Sequence, residues 1–248
     1  MVKNLKNLKL PLFFVLISLH LHAQDASGII TYKGVVNKKF VDSFLVDIQQ
    51  KDIPMANKQR LADILRNAKP DEFILNFKNG ESYYYYQPSL EQEGFNMGSR
   101  AGTTPYYTNN ITDKIIQMSG SLGYIAHKPL DWKITGKTKT IGDYQCYQAT
   151  VTEKLYSRQG HYYYKDVIAW FTPEIPLSFG PKYYKGLPGL ILQIEDKEYT
   201  LTAIKISLNP SEEIKIKRLG KKDKVITQEE SHKRIKEMAG DSKKMYAQ

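Results

Sequence analysis

Only one cysteine, Cys146, occurs in 248 residues, so no disulfide can form within the chain. A fold without cross-links must be held by its core, and a chain of this length can bury enough apolar surface for that. Cys146 itself reads as a small buried hydrophobe in a strand. Tryptophan is scarce, with two, whereas tyrosine is abundant, with 18. No apolar run reaches the roughly 20 residues that a bilayer core of about 30 Å demands, which excludes a polytopic helical membrane protein. With 41% hydrophobic and 25% charged residues, the composition is that of a globular protein rather than a disordered or fibrous one.

Catalytic signatures are missing too. The chain contains no H-E-x-x-H, no C-x-x-C, no G-x-x-x-x-G-K, no G-x-G-x-x-G and no G-x-S-x-G elbow. His127, His161 and His232 are widely spaced, so a metal site would have to be assembled across strands, and nothing in the sequence asks for one. Neither a metal nor a cofactor is expected. Asp131, Asp143, Asp166 and Glu174 fall near predicted turns and strand ends, where solvated carboxylates are ordinary. A glycoside-cleaving pair would need a separation that sequence does not give.

What is present begins with the N-terminus. Lys3, Lys6 and Lys9 precede an apolar run from Leu10 to Leu19 that continues to Ala23. Basic leader, short apolar segment and small residue read as a secretory signal peptide over residues 1–23, with cleavage after Ala23. Leu21 is a weak match three positions before the cut. Without the three lysines of that leader the formal charge falls from +10 to +7. Export to the periplasm or the outer membrane makes nucleic acid an unexpected partner, and the mature chain is not expected to be an integral membrane protein. Much of the basic excess lies in Lys215, Lys217, Arg218, Lys221, Lys222 and Lys224, which read as a solvated strand edge. Docking on an anionic surface is the alternative.

Residues 24–248 read as one domain, mainly β, with 209–248 a basic and partly helical tail. Strands are predicted over residues 28–36, 71–77, 81–87, 115–118, 123–127, 132–138, 144–154, 162–171, 190–195 and 199–208. Asn79-Gly80 and Gly142-Asp143 mark hairpin turns. Leu61, Ile64, Leu65 and Ala68 repeat at helical spacing, predicting a helix over 57–68 capped by Asn57 and ended by Pro70. Tyr83 to Tyr86 place rings on both faces of one strand. Residues 88–110, with Pro88, Gly94, Gly98, Gly102 and Pro105, predict a long mobile loop. Thr227 and Glu230 form a capping box for a short C-terminal helix. The expected architecture is one large curved antiparallel sheet or half-barrel, its concave side covered by the helix at 57–68. A closed barrel or a two-sheet sandwich is the alternative.

The segment Trp170–Glu195 is unusual. Pro173, Pro176, Pro181 and Pro188 forbid a regular central strand through it, and Gly180, Gly186 and Gly189 permit tight turns or close backbone approach. Leu190-Ile191-Leu192 then re-enters the core as a strand apolar on both faces. Gly186-Leu187-Pro188-Gly189-Leu190-Ile191, preceded by Ala169-Trp170-Phe171-Thr172, Ile175-Pro176 and Gly180-Pro181, resembles the GLPGLI family. Tyr144-Gln145-Cys146 and Ala149-Thr150 match the strand upstream of it. The resemblance is specific over residues 141–196, and Tyr162-Tyr163-Tyr164 departs from the family's usual approach to this strand. It implies a small exported protein of the kind typical of Bacteroidota, and a family without an established activity.

Three functions follow as expectations. The first is a non-enzymatic binding or carrier protein of the cell envelope. It would hold an apolar or amphipathic ligand between sheet and helix, with Leu65, Trp170, Phe171, Tyr183 and Tyr184 as candidate binding residues and the 88–110 loop as a lid. The second is an outer-membrane protein–protein adaptor that uses the Pro/Gly segment as its contact surface. The third is a hydrolase with an unrecognised site, built on His127 or His161 and a nearby aspartate. For the hexapeptide itself, a fold-defining turn is favoured over a binding surface.

Overall fold

A computed structural model describes residues 26–89, 97–120, 122–157 and 159–245. The signal-peptide reading lies outside the described residues. Twelve strands form one open, curved sheet: β1 (Ser27–Val36), β2 (Asp71–Lys78), β3 (Glu81–Gln87), β4 (Tyr106–Asn109), β5 (Lys114–Ser119), β6 (Gly123–Ala126), β7 (Lys133–Ile141), β8 (Tyr144–Tyr156), β9 (Tyr162–Thr172), β10 (Leu190–Glu195), β11 (Tyr199–Leu208) and β12 (Val225–Ile226). Their spatial order is β12-β6-β5-β4-β3-β2-β1-β11-β10-β9-β8-β7. Every pairing is antiparallel except β12 with β6. The mainly β, open-sheet expectation is met, and ten of the twelve strands fall where sequence alternation puts them.

Two strands and one helix were not anticipated. β4 lies inside the supposed loop 88–110 and pairs with β3 and β5, so Tyr106–Asn109 is sheet. Residues 97–101 are also anchored. Asp71 accepts from the Ser99 backbone N–H and, at 2.7 Å, from its hydroxyl, and Ser99 is fully buried. The lid expectation therefore fails over 97–109, and residues 90–96 lie outside the described residues.

Helix α1 (Lys38–Gln49) precedes α2 (Met55–Arg66). The N-cap Asn37 makes no side-chain cap bond. Its amide instead donates to Asp196 O at 2.6 Å and accepts from the Thr200 hydroxyl at 2.7 Å, which ties the start of α1 to the β10–β11 turn. α2 begins two residues before the predicted start and is preceded by Pro54, with no side-chain cap, so Asn57 does not cap it. α3 (Gln228–Met245) is 18 residues long rather than short. Half of its capping box forms: the Glu230 N–H donates to Thr227 Oγ1 at 3.0 Å, while the Glu230 carboxylate turns to Arg234. Among the described residues no helix is long and apolar enough to cross a membrane.

The concave face carries the core. Ile30 and Tyr32 of β1, Phe73, Leu75 and Phe77 of β2, and Tyr84 of β3 are buried there with Ala149, Val167, Ala169 and Ile194 from the other wing of the sheet. The cover over this face is the Pro/Gly segment, not α2. Ile175, Leu177, Phe179, Tyr183, Tyr184 and Leu187 all belong to the core cluster, and Phe179 stacks on Phe77 at 5.8 Å between centroids. Ala62 and Leu65 of α2 are buried outside that cluster; Leu65 shares a small cavity with Val35, Val41 and Leu45. A loop can take the covering role because its backbone is satisfied by the strand it precedes. Leu190 N–H donates to Ile175 O and Ile191 N–H to Phe179 O, each at 2.9 Å.

Gly189 is where cover and sheet touch. A Cβ there would lie 2.1 Å from Thr172 O, so only glycine lets the chain pass so close to β9. The hexapeptide is thus built into the fold: Leu187, Leu190 and Ile191 are buried. The basic stretch is no strand edge either. Residues 214–224 are irregular and run beside β2 and β3, where Asn76 donates to Lys215 O at 3.1 Å and Arg218 grips Glu81. Cys146 is fully buried on β8, as its strand position predicts.

Candidate functional site

Strand alternation along β8 and β9 turns Ala149, Val151 and Glu153, and opposite them Ala169, Val167 and Lys165, toward the concave side. A glutamate and a lysine in apolar phase are unusual, because burying a charge costs several kcal/mol unless it is paired. Here the charges are paired. Lys165 Nζ lies 3.7 Å from Glu153 and 3.3 Å from Asp196, and both carboxylates are almost fully buried. Two covering tyrosines complete the network. The Tyr183 hydroxyl donates to Glu153 Oε2 at 2.6 Å and the Tyr184 hydroxyl to Oε1 at 3.0 Å. Burial and the nearby carboxylate raise both phenols well above their ordinary pKa, so they stay protonated donors.

Asp196 is fixed by the β10–β11 turn, where its Oδ1 accepts the N–H groups of Glu198 and Tyr199 at 2.7 and 3.0 Å. Lys182 stands beside this network. Its ammonium donates to Ala101 O at 2.9 Å and to the Tyr199 hydroxyl at 3.0 Å, and desolvation lowers its pKa to about 8. It lines a groove of about 1120 Å³ shared with Phe40, Arg100, Tyr163 and Tyr164.

Tyr183 also joins the two wings of the sheet. While its hydroxyl holds Glu153 of β8, its ring stacks on His127, which follows β6, at 4.9 Å and packs on Tyr106 of β4 at 5.5 Å. His127 Nε2 is 2.7 Å from Gln117 Oε1, and Nδ1 is 3.3 Å from the Gln228 amide. Desolvation lowers the His127 pKa to about 4, so the ring is neutral at pH 7. Between the wings lies an open groove of about 750 Å³. Its walls are His127, Pro129 and Leu130 on one side and Val151, Glu153 and Leu155 on the other, with Tyr183 between them. Lys128, Lys133, Lys154, Asp131 and Asp166 also line it.

The five candidate binding residues do not converge. Trp170 and Phe171 are neighbours on β9 and so face opposite sides. Both are buried in the core cluster, Phe171 packing on Tyr147 at 6.1 Å between centroids, while the Trp170 indole donates to Glu195 Oε1 at 2.9 Å with Lys139 Nζ 4.1 Å over its ring. Leu65 belongs to the α1–α2 unit. Of the five, Tyr183 lines the groove between the wings and Leu65 the separate small cavity beside α1. Tyr183 and Tyr184 are 7% and 0% exposed, so they cannot serve as the contact surface of an adaptor. His161 sits at the exposed β8–β9 tip with Ser157 Oγ 3.1 Å from Nδ1. The signal that sequence reasoning passed over was Glu153 and Lys165 in the apolar phase of two adjacent strands.

The site thus belongs to a β half-barrel plugged by its own Pro/Gly segment. A family model described as "Protein of unknown function (Porph_ging)" matches residues 159–193, the run from β9 through the hexapeptide into β10. No curated protein matches the chain. Two solved chains resemble it. "Structure of PNGF-II in C2 space group" has a TM-score of 0.45 and 12% identity, over 85% of this chain and 32% of that one. "Structure of PNGF-II in P21 space group" has a TM-score of 0.43 and 13% identity, over 82% and 32%. The chain therefore spans about a third of the length of either.

Proposed function

We propose that the chain is an exported, non-enzymatic binding protein of the bacterial cell envelope, a GLPGLI-family member, whose ligand seats in the groove between His127 and Leu155. The observation that carries this reading is the groove itself, where the two wings approach without closing. It offers an apolar strip (Leu130, Val151, Leu155) beside charged and hydrogen-bonding groups (Lys128, Lys133, Lys154, Glu153), a combination suited to an amphipathic ligand. The concave face proper is filled by Phe179, Tyr184 and Leu187, which favours this rim over the space beneath a helix as the seat of the proposed ligand. The leader at residues 1–23 and the match of an uncharacterised family at 159–193 support the export and family parts of the reading.

The test is native mass spectrometry of protein purified from periplasm without detergent, compared with its denatured mass. A retained amphiphile that is lost in Leu155→Asp and kept in Leu65→Asp is the expected result. Retention unaffected by Leu155→Asp in a folded protein would place the ligand elsewhere and overturn the assignment.

A further inference from the structure

The groove is also a break in the sheet's hydrogen bonding. β7 pairs with β8 only from Ile141↔Tyr144 to Lys133↔Thr150, yet β8 runs on to Tyr156. Residues 151–156 therefore have β9 on one side and a free edge on the other. The phase of that edge follows from the hairpin end. Ser157 N–H donates to His161 O at 2.8 Å, and antiparallel pairs alternate, so Val151, Glu153 and Leu155 exchange bonds with β9. Thr152, Lys154 and Tyr156 then turn their N–H and C=O groups outward. Among the described residues none of those groups has a hydrogen-bond partner.

We infer that this edge takes an extended peptide as an added strand, with alternating acidic and apolar residues. The inference rests on reading the groove as a binding site and names its occupant. An added strand at β8 would lie in the slot between β8 and the His127–Asp131 loop, and main-chain bonds would supply most of its affinity. Its inward side chains would meet Leu130, Val151 and Leu155, and its backbone would meet Thr152, Lys154 and Tyr156. The charge on the edge itself selects the partner. Lys154 is the charged member of the outward row Thr152, Lys154 and Tyr156, so a residue of the added strand would lie directly opposite it, whereas Lys128 is already held by Glu229 at 3.2 Å, Glu153 by Lys165 at 3.7 Å and Asp166 by the Thr152 hydroxyl at 2.6 Å. A second copy pairing antiparallel through the same edge would bring Lys154 of one chain toward Lys154 of the other, which disfavours self-association.

The experiment uses the full chain and an N-acetylated, C-amidated hexapeptide alternating glutamate and valine. Titration calorimetry should show saturable binding, and hydrogen exchange should slow at Thr152, Lys154 and Tyr156. Two probe variants, N-methylated on alternate residues in opposite phase, separate edge pairing from loose adhesion: one phase should abolish binding and the other retain it. On the protein side, Lys154→Pro removes an outward N–H without touching the β9 ladder and should weaken binding tenfold or more. Equal binding of both methylated peptides, or no saturation by about 1 mM, overturns the inference. A retained amphiphile without peptide binding overturns it too, while the carrier reading stands. If neither ligand is found, both readings fall.

Discussion

Replacing Gly189 by alanine tests whether the hexapeptide is a structural clasp. The added Cβ would sit 2.1 Å from Thr172 O and 2.6 Å from Thr172 C, where a carbon needs more than 3 Å. The obstacle is backbone of β9, and Thr172 is paired with Leu190, so relief requires opening the β9–β10 ladder beside the core. Overpacking against a side chain typically costs about 1–3 kcal/mol, and a rigid backbone neighbour puts Gly189→Ala at or above about 3 kcal/mol. For a chain of this size that is a fall in Tm of roughly 6–12 °C. Gly186→Ala is the internal comparison. Gly186 has φ +96 and open space around its missing Cβ, so alanine there pays only the left-handed backbone term of about 1–2 kcal/mol. Urea unfolding followed by circular dichroism should give midpoints in the order wild type, Gly186→Ala, Gly189→Ala, with unchanged slopes. A Gly189→Ala midpoint equal to or above that of Gly186→Ala would refute the close-approach argument, and with it the claim that the motif exists to seat the cover on the sheet.

Other outcomes follow from the buried polar network and the neutral histidine. His127 titrates near 4 when folded and near 6.5 when unfolded, so the unfolded chain binds the extra proton as pH falls. Stability should drop by about 3 kcal/mol between pH 7 and pH 4 from this group alone, and His127→Gln should flatten that part of the urea midpoint–pH curve. Tyr183→Phe, which removes a 2.6 Å hydrogen bond to Glu153, should cost about 1–3 kcal/mol. Glu153→Leu leaves Lys165 with Asp196 but takes the acceptor from the Tyr183 and Tyr184 hydroxyls and should cost about 1–3 kcal/mol for each buried donor left unpaired, with a Glu153→Leu, Tyr183→Phe double variant less destabilised than the sum of the singles. Burial pushes the Cys146 thiol up to about 11, so it should resist a disulfide reagent in the native protein and react promptly in urea.

Strand positions were legible because alternation is local. β10 and β11 begin and end where residue patterns put them, at Leu190–Glu195 and Tyr199–Leu208. β4 was hidden by its glycine- and proline-rich surroundings: four residues cannot establish a period, and pairing with β3 and β5 decides the matter. α1 was overlooked although Phe40, Phe44 and Ile48 recur at helical spacing. Its N-cap asparagine is engaged by Asp196 and Thr200, so no local cap announces the start. What covers the concave face was not legible at all. Amphipathicity nominated α2, but a stripe says only that a face is buried, and Leu65 is buried against α1 and the end of β1.

The site followed the same rule. Each strand's sequence says which side chains share a face; curvature, which depends on bulges such as the one between Ile191 and Gln193, decides which distant strands meet. Tyr183 can touch both His127 and Glu153 only because β6 and β8, near opposite ends of the strand order, have been brought round to the same tyrosine. That closure stops short of a barrel. Had β7 extended along all of β8, residues 151–156 would have no free edge and the groove would have one wall of paired strand. The short β7 is thus the feature on which the binding proposal depends. Lengthening it is its most direct structural challenge: a variant whose 128–132 loop is redesigned to continue β7 along Val151–Tyr156 should gain stability and lose all groove binding together.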